Sequence, residues 1–123
     1  MIIGVGTDIF LMSRLVITHE EDAFIQRAYT QKERYEASKR DNKHLYYATR
    51  FCAKEAVYKA ISNINLDFKP SDIEILTDEN GKPYATIHGK TKKELDKLGN
   101  INIQVSISYD TDYAISFALA QKI

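Results

Sequence analysis

The chain has 123 residues, of which 44% are hydrophobic, and its 17 basic side chains balance 17 acidic ones. This is enough apolar material to bury a core, so we expect a single domain over residues 1–123. A net charge of zero argues against broad binding to nucleic acid or a membrane surface. Cys52 is the only cysteine, which excludes an internal disulfide. With no long apolar run or secretory segment, we expect a cytoplasmic protein.

The chain opens with an alternating pattern that predicts a β-strand. One face carries β-branched residues, namely Ile3, Val5, Thr7 and Ile9. The other face carries two glycines, an acidic residue and an aromatic residue: Gly4, Gly6, Asp8 and Phe10. Two glycines before Asp8 would let another backbone or a ligand approach the strand beside the carboxylate. No third glycine or Lys-Ser/Thr follows, so neither a dinucleotide fingerprint nor a P-loop is supported. Taken alone, Asp8 is more often a strand-end hydrogen-bonding residue than a ligand.

Three T-x-x-E sequences fit the capping box, in which a threonine side chain and a glutamate side chain satisfy the first amides of a helix. They pair Thr18 with Glu21, Thr30 with Glu33, and Thr91 with Glu94. The first two predict helix starts near His19 and Gln31, and Gly99 is well placed to end the third helix. Asp41 or Asn42 is expected to cap a longer central helix.

Two hairpins follow the central helix. Residues 72–77 and 84–88 alternate around Asn80-Gly81, a strong turn signal, with Pro83 at the start of the returning strand. Residues 101–107 and 113–119 alternate again around a polar turn at 110–112. Helices together with these strands predict an α+β fold with mixed pairing.

The segment from Arg50 to Ile61 places long charged side chains on a helix built otherwise from small apolar residues. At 100° per residue, Glu55 and Lys59 share the side opposite the apolar arc, while Lys54 lies nearer its boundary. Alanines permit close packing, which would hold these charged groups in fixed positions. The alternative is an ordinary surface ion pair, since Glu55 precedes Lys59 by four residues.

The available side chains favour a hard cation on phosphate oxygens. Carboxylates with lysines suit Mg²⁺, which uses one or two carboxylates, substrate oxygens and water. Zinc is disfavoured because the three histidines lie scattered on different predicted elements, without ligand spacing: His19, His44 and His88. Ser106 and Ser108 lie in a strand without a nucleophile elbow, so hydrogen bonding is their default role.

An ordered set of motifs then resembles a known family. GVGTDI is followed by Arg14, by F-x-x-R-x-x-T-x-x-E from Phe24, by R-F-x-A-K-E-A-x-x-K-A from Arg50, and by NGKPY and VSIS. Together they resemble the holo-acyl-carrier-protein synthases, the small bacterial type of phosphopantetheinyl transferase. The resemblance implies one α+β domain whose long central helix packs on a mixed or antiparallel sheet.

The resemblance also implies the reaction: transfer of the phosphopantetheine arm of coenzyme A to a serine hydroxyl of apo acyl carrier protein, with release of adenosine bisphosphate. By the family pattern, Asp8 and Glu55 hold Mg²⁺, with Mn²⁺ a possible substitute, and Lys59 approaches the reacting phosphate. Glu55 is the first candidate for removing the serine proton. The resemblance also implies a homotrimer with CoA sites between subunits. Neither nucleic acid nor a membrane is expected as a partner.

Further contacts are expected on the same basis. The residues expected to contact CoA are Arg50, Lys54, Ser62, Ser108 and Tyr109. Arg14 and Arg27 are expected to contact the carrier protein, although each alone also fits a solvated surface residue.

Two departures from the family pattern bear on CoA binding. Ile61-Ser62-Asn63-Ile64 stands where the family has a glycine-rich segment, and asparagine adopts positive φ more readily than isoleucine. Tyr109 stands where the family has histidine, so it offers a hydrogen bond but no charge near neutral pH, or simply packs at a strand end. The acidic run at 20–22 would lie near the carrier protein and suggests altered carrier recognition.

Two rival functions remain open at this point. One is a module of the same fold that binds CoA or a carrier protein without transferring the arm. The other is a small oligomeric structural protein with surface ion pairs.

Overall fold

The structure, a computed structural model, describes residues 1–19 and 22–123. The elements in chain order are β1 (Ile2–Leu11), α1 (Ala23–Ala28), α2 (Gln31–Ser38), α3 (Lys43–Ala60), β2 (Ile73–Thr77), β3 (Pro83–Ile87), α4 (Gly89–Asp96), β4 (Ile101–Tyr109) and β5 (Tyr113–Lys122). Short 3-10 turns occupy Met12–Arg14 and Pro70–Asp72. Within the described residues, no helix is both long and apolar enough to cross a membrane.

The strands form two sheets. One has three strands in the order β1-β5-β4, and the other is the β2–β3 hairpin. Every strand pair in residues 1–19 and 22–123 is antiparallel, so the α+β class is confirmed but no parallel pairing accompanies it. In the register of the larger sheet, Asp8 lies opposite Ser116.

The long helix α3 packs closely on this sheet because small residues face each other across the contact. The buried small residues are Ala53, Ala56 and Ala60 on α3, and Ala114, Ser116, Ala118 and Ala120 on β5. On β1, a Cβ added to Gly4 or Gly6 would lie 2.0 Å from the carbonyl oxygen of Ala60 or Ala56. The predicted approach of another backbone beside Asp8 is therefore confirmed, and that backbone is α3.

Two predicted caps are confirmed. Thr30 and Glu33 form a complete capping box at the start of α2. The Asn42 side chain accepts a hydrogen bond from the Leu45 amide and caps α3. Each threonine or asparagine directly precedes its helix, so its side-chain oxygen lies within reach of the first free amides.

Helix α1 begins later than predicted. The expected start near His19 is wrong, because Asp22 is the N-cap and the first helical residue is Ala23. Thr18 instead donates a hydrogen bond to the Asp22 carboxylate. Glu21, the other half of the expected capping box, lies outside the described residues.

The third expected capping box is also wrong. Helix α4 has His88 as its N-cap, and Thr91 lies within the helix. The Thr91 hydroxyl donates to the buried carboxylate of Asp72 at 2.9 Å, so a tertiary partner takes the group that a cap would have used. The helix ends at Asp96, and Gly99, with φ of +118°, turns the chain toward β4.

Candidate active site

Asp8, Glu55 and Lys59 come together where β1 meets α3. The Lys59 ammonium donates to the carbonyl oxygen of Thr7 at 2.9 Å and lies 3.4 Å from a carboxylate oxygen of Asp8. Glu55 precedes Lys59 by one helical turn and lies on the same side of α3. Lys59 is about half exposed and Asp8 mostly buried, at 52% and 16% of the side chain, so the cluster opens to solvent through the lysine.

The backbone around Asp8 is fixed to α3 by a hydrogen-bond cluster beneath the site. The Ser116 hydroxyl donates to the Cys52 carbonyl oxygen at 2.7 Å. The Cys52 thiol in turn lies 3.5 Å from the carbonyl oxygen of Asp8. Ser116 is a positioning contact that motif reasoning missed, although its place among the alanines on the inner face of β5 was readable from the alternation.

The electrostatics of the site favour a bound cation. Partial burial and the neighbouring Asp8 carboxylate both raise the pKa of Glu55, and Lys59 only partly offsets them. Two nearby carboxylates of like charge are a donor set that Mg²⁺ fits, because it needs few protein ligands and completes its shell with water and phosphate oxygens. No group of three or more His, Cys, Asp or Glu side chains in the described residues could hold a metal alone. A donor set of two carboxylates therefore leaves positions for substrate oxygens.

A cleft of about 470 Å³ adjoins the cluster and offers room for a ligand. Asp8 and Lys59 line it, together with Ser106 and Ser108 from β4 and the apolar Ile115 from β5. The structure thus brings Ser108 to the same cleft as the charged cluster. Ser62 lies two residues beyond the end of α3 and is exposed.

Lys54 does not reach this cleft. Its side chain is fully buried, and the ammonium donates to Glu33, to the Pro70 carbonyl oxygen and to the Ile73 carbonyl oxygen. An ammonium has three protons, and all three are used. In this arrangement the Lys54 ammonium has no donor left for a CoA phosphate.

Arg50 also lies elsewhere. Five residues separate it from Glu55, which places it about 140° around α3. Its guanidinium donates to Thr77, lies 3.6 Å from Glu36 and covers the ring of Tyr46 at 4.3 Å. These partners belong to α2, α3 and β2, so the structure does not bring Arg50 to Asp8.

Tyr109 lines a different depression of about 320 Å³, together with Asn42, His44 and Asp110. It is 59% exposed and stands at the end of β4, separated from β1 by the intervening strand β5. Within one chain, Tyr109 is therefore apart from Asp8.

The two arginines expected to meet the carrier protein are both exposed but occupy different surroundings. Arg14 lines a groove of about 380 Å³ with Phe10, Phe24 and Phe51. Arg27 lies in the last turn of α1 and does not line that groove. Most of the acidic run at 20–22 lies outside the described residues.

Comparison with known proteins decides the family. A sequence model of the 4'-phosphopantetheinyl transferase superfamily matches residues 4–118. The chain belongs to this superfamily. Its match spans Asp8, the whole of α3 and most of β5, and so includes every residue of the cluster.

Individual relatives of this phosphopantetheinyl transferase cover nearly the whole chain. A holo-[acyl-carrier-protein] synthase of Fusobacterium nucleatum is 41% identical over 120 residues, covering 97% of this chain and 98% of its own. The crystal structure of the synthase from Neisseria meningitidis is 32% identical with a TM-score of 0.87, covering 99% of this chain and 100% of that one. A synthase structure from Bacillus anthracis, in complex with CoA (3',5'-ADP), is 29% identical with a TM-score of 0.76, covering 100% and 99%.

Proposed function

We propose that this protein is a holo-acyl-carrier-protein synthase. It transfers the phosphopantetheine arm of coenzyme A to a serine hydroxyl of an apo acyl carrier protein. The observation that carries the proposal is the cluster of Asp8, Glu55 and Lys59 beside an open cleft, within a chain of the phosphopantetheinyl transferase superfamily. The serine oxygen forms a bond to the phosphorus of the arm, the bond from that phosphorus to the bridging oxygen breaks, and adenosine 3',5'-bisphosphate leaves.

Lys59 suits the task of stabilising the reacting phosphate. In phosphoryl transfer, positioning and neutralisation of developing charge supply most of the catalysis. The Lys59 ammonium is held by the Thr7 carbonyl oxygen but keeps donor capacity and solvent access toward the cleft. A fixed cation there interacts more strongly with the transition state than with bound CoA, because the negative charge grows on the bridging oxygen.

Asp8 and Glu55 would hold Mg²⁺, for which Mn²⁺ could substitute. When bound, the ion would neutralise charge on the pyrophosphate of CoA. The two side chains otherwise repel each other, and the raised pKa of Glu55 is one expression of that repulsion.

Glu55 is also the proposed general base, directly or through a water. The half-buried position limits competing solvent, and the serine proton would pass to a carboxylate oxygen as the oxygen–phosphorus bond forms.

The groove beside Arg14 is the proposed contact for the carrier protein. Its three phenylalanine rings offer an apolar surface, and Arg14 at the rim offers positive charge for an acidic partner. Phe51 precedes Glu55 by one helical turn, so a carrier seated there would present its serine close to the cluster. Arg27, exposed on α1, is the second proposed contact.

We further propose a homotrimer with CoA sites between subunits. Support comes from the outer face of the three-stranded sheet, where four large apolar side chains are 43–68% exposed: Val5, Ile9, Ile115 and Phe117. A contiguous apolar face of this kind is typical of a surface that another subunit covers. Tyr109 would then reach CoA across the subunit boundary, whereas Ser108 lines the cleft of its own chain and Ser62 is the remaining proposed CoA contact. We also propose a cytoplasmic location, because the buried Cys52 carries a free thiol, as is usual in that reducing compartment.

The rival function is a module that binds CoA or the carrier protein without transferring the arm. Binding alone does not require a lysine held beside two carboxylates, which is the arrangement at Asp8. The two functions differ in one product, holo carrier protein.

The deciding experiment is incubation with apo carrier protein, CoA and Mg²⁺, followed by mass spectrometry of the carrier serine. We expect addition of the arm by the parent protein. Asp8→Ala and Glu55→Ala should each lower the rate by about 10²-fold or more while the circular dichroism spectrum stays unchanged. Full activity in EDTA, or in both variants, would exclude the metal mechanism. A parent that binds CoA but never modifies the carrier would establish the binding module.

A further inference from the structure

Lys54 and Glu33 form a fully buried ion pair that the proposed reaction does not use. The ammonium and a carboxylate oxygen lie 2.8 Å apart, and both side chains are 0% exposed. Buried charges of this kind are uncommon because removing them from water is costly unless every polar atom finds a partner. The other partners of the pair therefore indicate what it does.

Those partners are backbone groups on three elements. Lys54 on α3 donates to the carbonyl oxygen of Ile73, at the start of β2, at 2.6 Å and to that of Pro70, in the preceding 3-10 turn, at 2.9 Å. Glu33 on α2 accepts from the amides of Thr30 and Ile75, each at 2.8 Å. The pair thus joins α3 to α2 and β2 through atoms that cannot move without moving the main chain.

The opposite flank of α3 is held by a different contact. Ala56 and Ala60 lie against Gly6 and Gly4 of β1, where even one added carbon would collide. Lys54 is two residues from Ala56, or about 200° around the helix. Contacts therefore hold α3 on two opposite sides, the β1 glycines on one and the Lys54–Glu33 pair on the other. Glu55 lies between these two sides.

The rotation of α3 about its axis determines where the side chains of Glu55 and Lys59 lie relative to Asp8. Side chains of a helix reach about 5–6 Å from the axis, so a rotation of about 10° moves their ends by about 1 Å. A misplacement of that size can lower a reaction rate by about 10²-fold. Contact with the glycines holds one side of α3. On the other side, where Val57 and Ile61 pack in the core, the ion pair adds hydrogen bonds with fixed directions.

We propose that Glu33 and Lys54 are positioning residues. They fix the rotation of α3 and so keep Glu55 and Lys59 in position beside Asp8. The proposal rests on the transferase function proposed above. It assigns the family-like lysine at position 54 a role inside the protein, in place of a phosphate contact.

The test is the double variant Glu33→Leu with Lys54→Met. Either change alone leaves an unpaired buried charge, whereas two apolar side chains of similar size often restore stability. They cannot restore the hydrogen bonds to the main chain at Thr30, Pro70, Ile73 and Ile75. We expect the double variant to melt at a lower temperature than the parent, because these main-chain groups lose their partners. At temperatures where it is fully folded, we expect a kcat lowered by about tenfold or more and a KM for CoA changed by less than about twofold.

The matched control is Lys92→Met on α4, which removes the same charge from an exposed ion pair with Asp96. Its kcat should equal that of the parent. All rates are measured at temperatures where circular dichroism shows complete folding. If the double variant does not fold, Glu33→Gln, which keeps the shape of the side chain, is measured with the same expected separation of kcat and KM.

Parent activity toward apo carrier protein is measured first, because it tests the proposed function separately. With an active parent, a parent-like kcat in the fully folded variant overturns the positioning role and leaves the transferase function intact. A higher KM with unchanged kcat also overturns it, since that result assigns the pair to CoA binding.

Discussion

Substitution Gly6→Ala tests whether the close contact between β1 and α3 sets the geometry of the catalytic cluster. The added Cβ would lie 2.0 Å from the Ala56 carbonyl oxygen and 2.9 Å from the Lys59 Cβ. Carbon and oxygen in ordinary contact are about 3.3 Å apart or more. Since the acceptor is a main-chain atom, the strand and the helix must separate by roughly 1.3 Å.

The magnitude follows from that displacement. Overpacking a core costs about 1–3 kcal/mol, which in a domain of this size corresponds to a melting temperature lower by about 5–15 °C. Asp8 lies on β1 whereas Glu55 and Lys59 lie on α3, so the same separation widens the cluster. We expect kcat/KM for transfer to fall by about 10²-fold.

The assay combines thermal denaturation by circular dichroism with the rate of carrier modification by mass spectrometry. The control is Gly81→Ala in the turn between β2 and β3, where φ is +82° and no atom lies within 4 Å of the added carbon. It should cost about 1–2 kcal/mol through backbone strain and leave the activity of the folded protein unchanged. Equal activities in the two folded variants would refute the reasoning.

Three further predictions concern other parts of the molecule. Lys59→Ala should lower kcat by about 10²-fold with little change in the calorimetric affinity for CoA, whereas a raised KM at unchanged kcat would assign Lys59 to ground-state binding. Phe117→Glu should dissociate the proposed trimer in light scattering and abolish activity; an active monomeric parent would contradict this. For the carboxylate of Glu74, burial disfavours charge, but hydrogen bonds from Thr30 and His88 outweigh it and lower the pKa. The stabilisation from the ionised Glu74 carboxylate is thus complete above about pH 5 and is lost as pH falls through the lowered pKa. The melting temperatures of the parent and Glu74→Gln should therefore converge in acid. A difference that stays constant with pH would disprove this prediction.

Local sequence patterns predicted the elements that depend on near neighbours. The alternation in β1, the capping box at Thr30 and the cap at Asn42 all involve residues a few positions apart. The same reasoning was wrong at Thr91, because the buried Asp72 lies 19 residues away and takes its hydroxyl. A local motif therefore forms a cap only where the fold leaves its oxygen free to accept from the helix amides, as at Thr30, whose hydroxyl also donates to the distant Glu74.

The candidate site divides in the same way. Two glycines before Asp8 indicated that a backbone packs there, and the i,i+4 spacing put Glu55 and Lys59 on one side of a helix. That the helix approaching those glycines is α3 depends on contacts between residues 50 or more positions apart. The family motifs indicated which residues belong together, but they carried no distance or burial.

Lys54 shows most clearly what only the tertiary structure decided. Sequence determined that it lies on α3, one residue before Glu55 and near the edge of the apolar arc. Whether such a lysine faces a phosphate or a buried carboxylate depends on what packs against that edge. Glu33 precedes it by 21 residues and Ile73 follows it by 19, and both reach it only after α2 and β2 close over the helix. Helical periodicity determines the direction of a side chain around its own axis, whereas the partner that it meets is determined by the packing of distant segments.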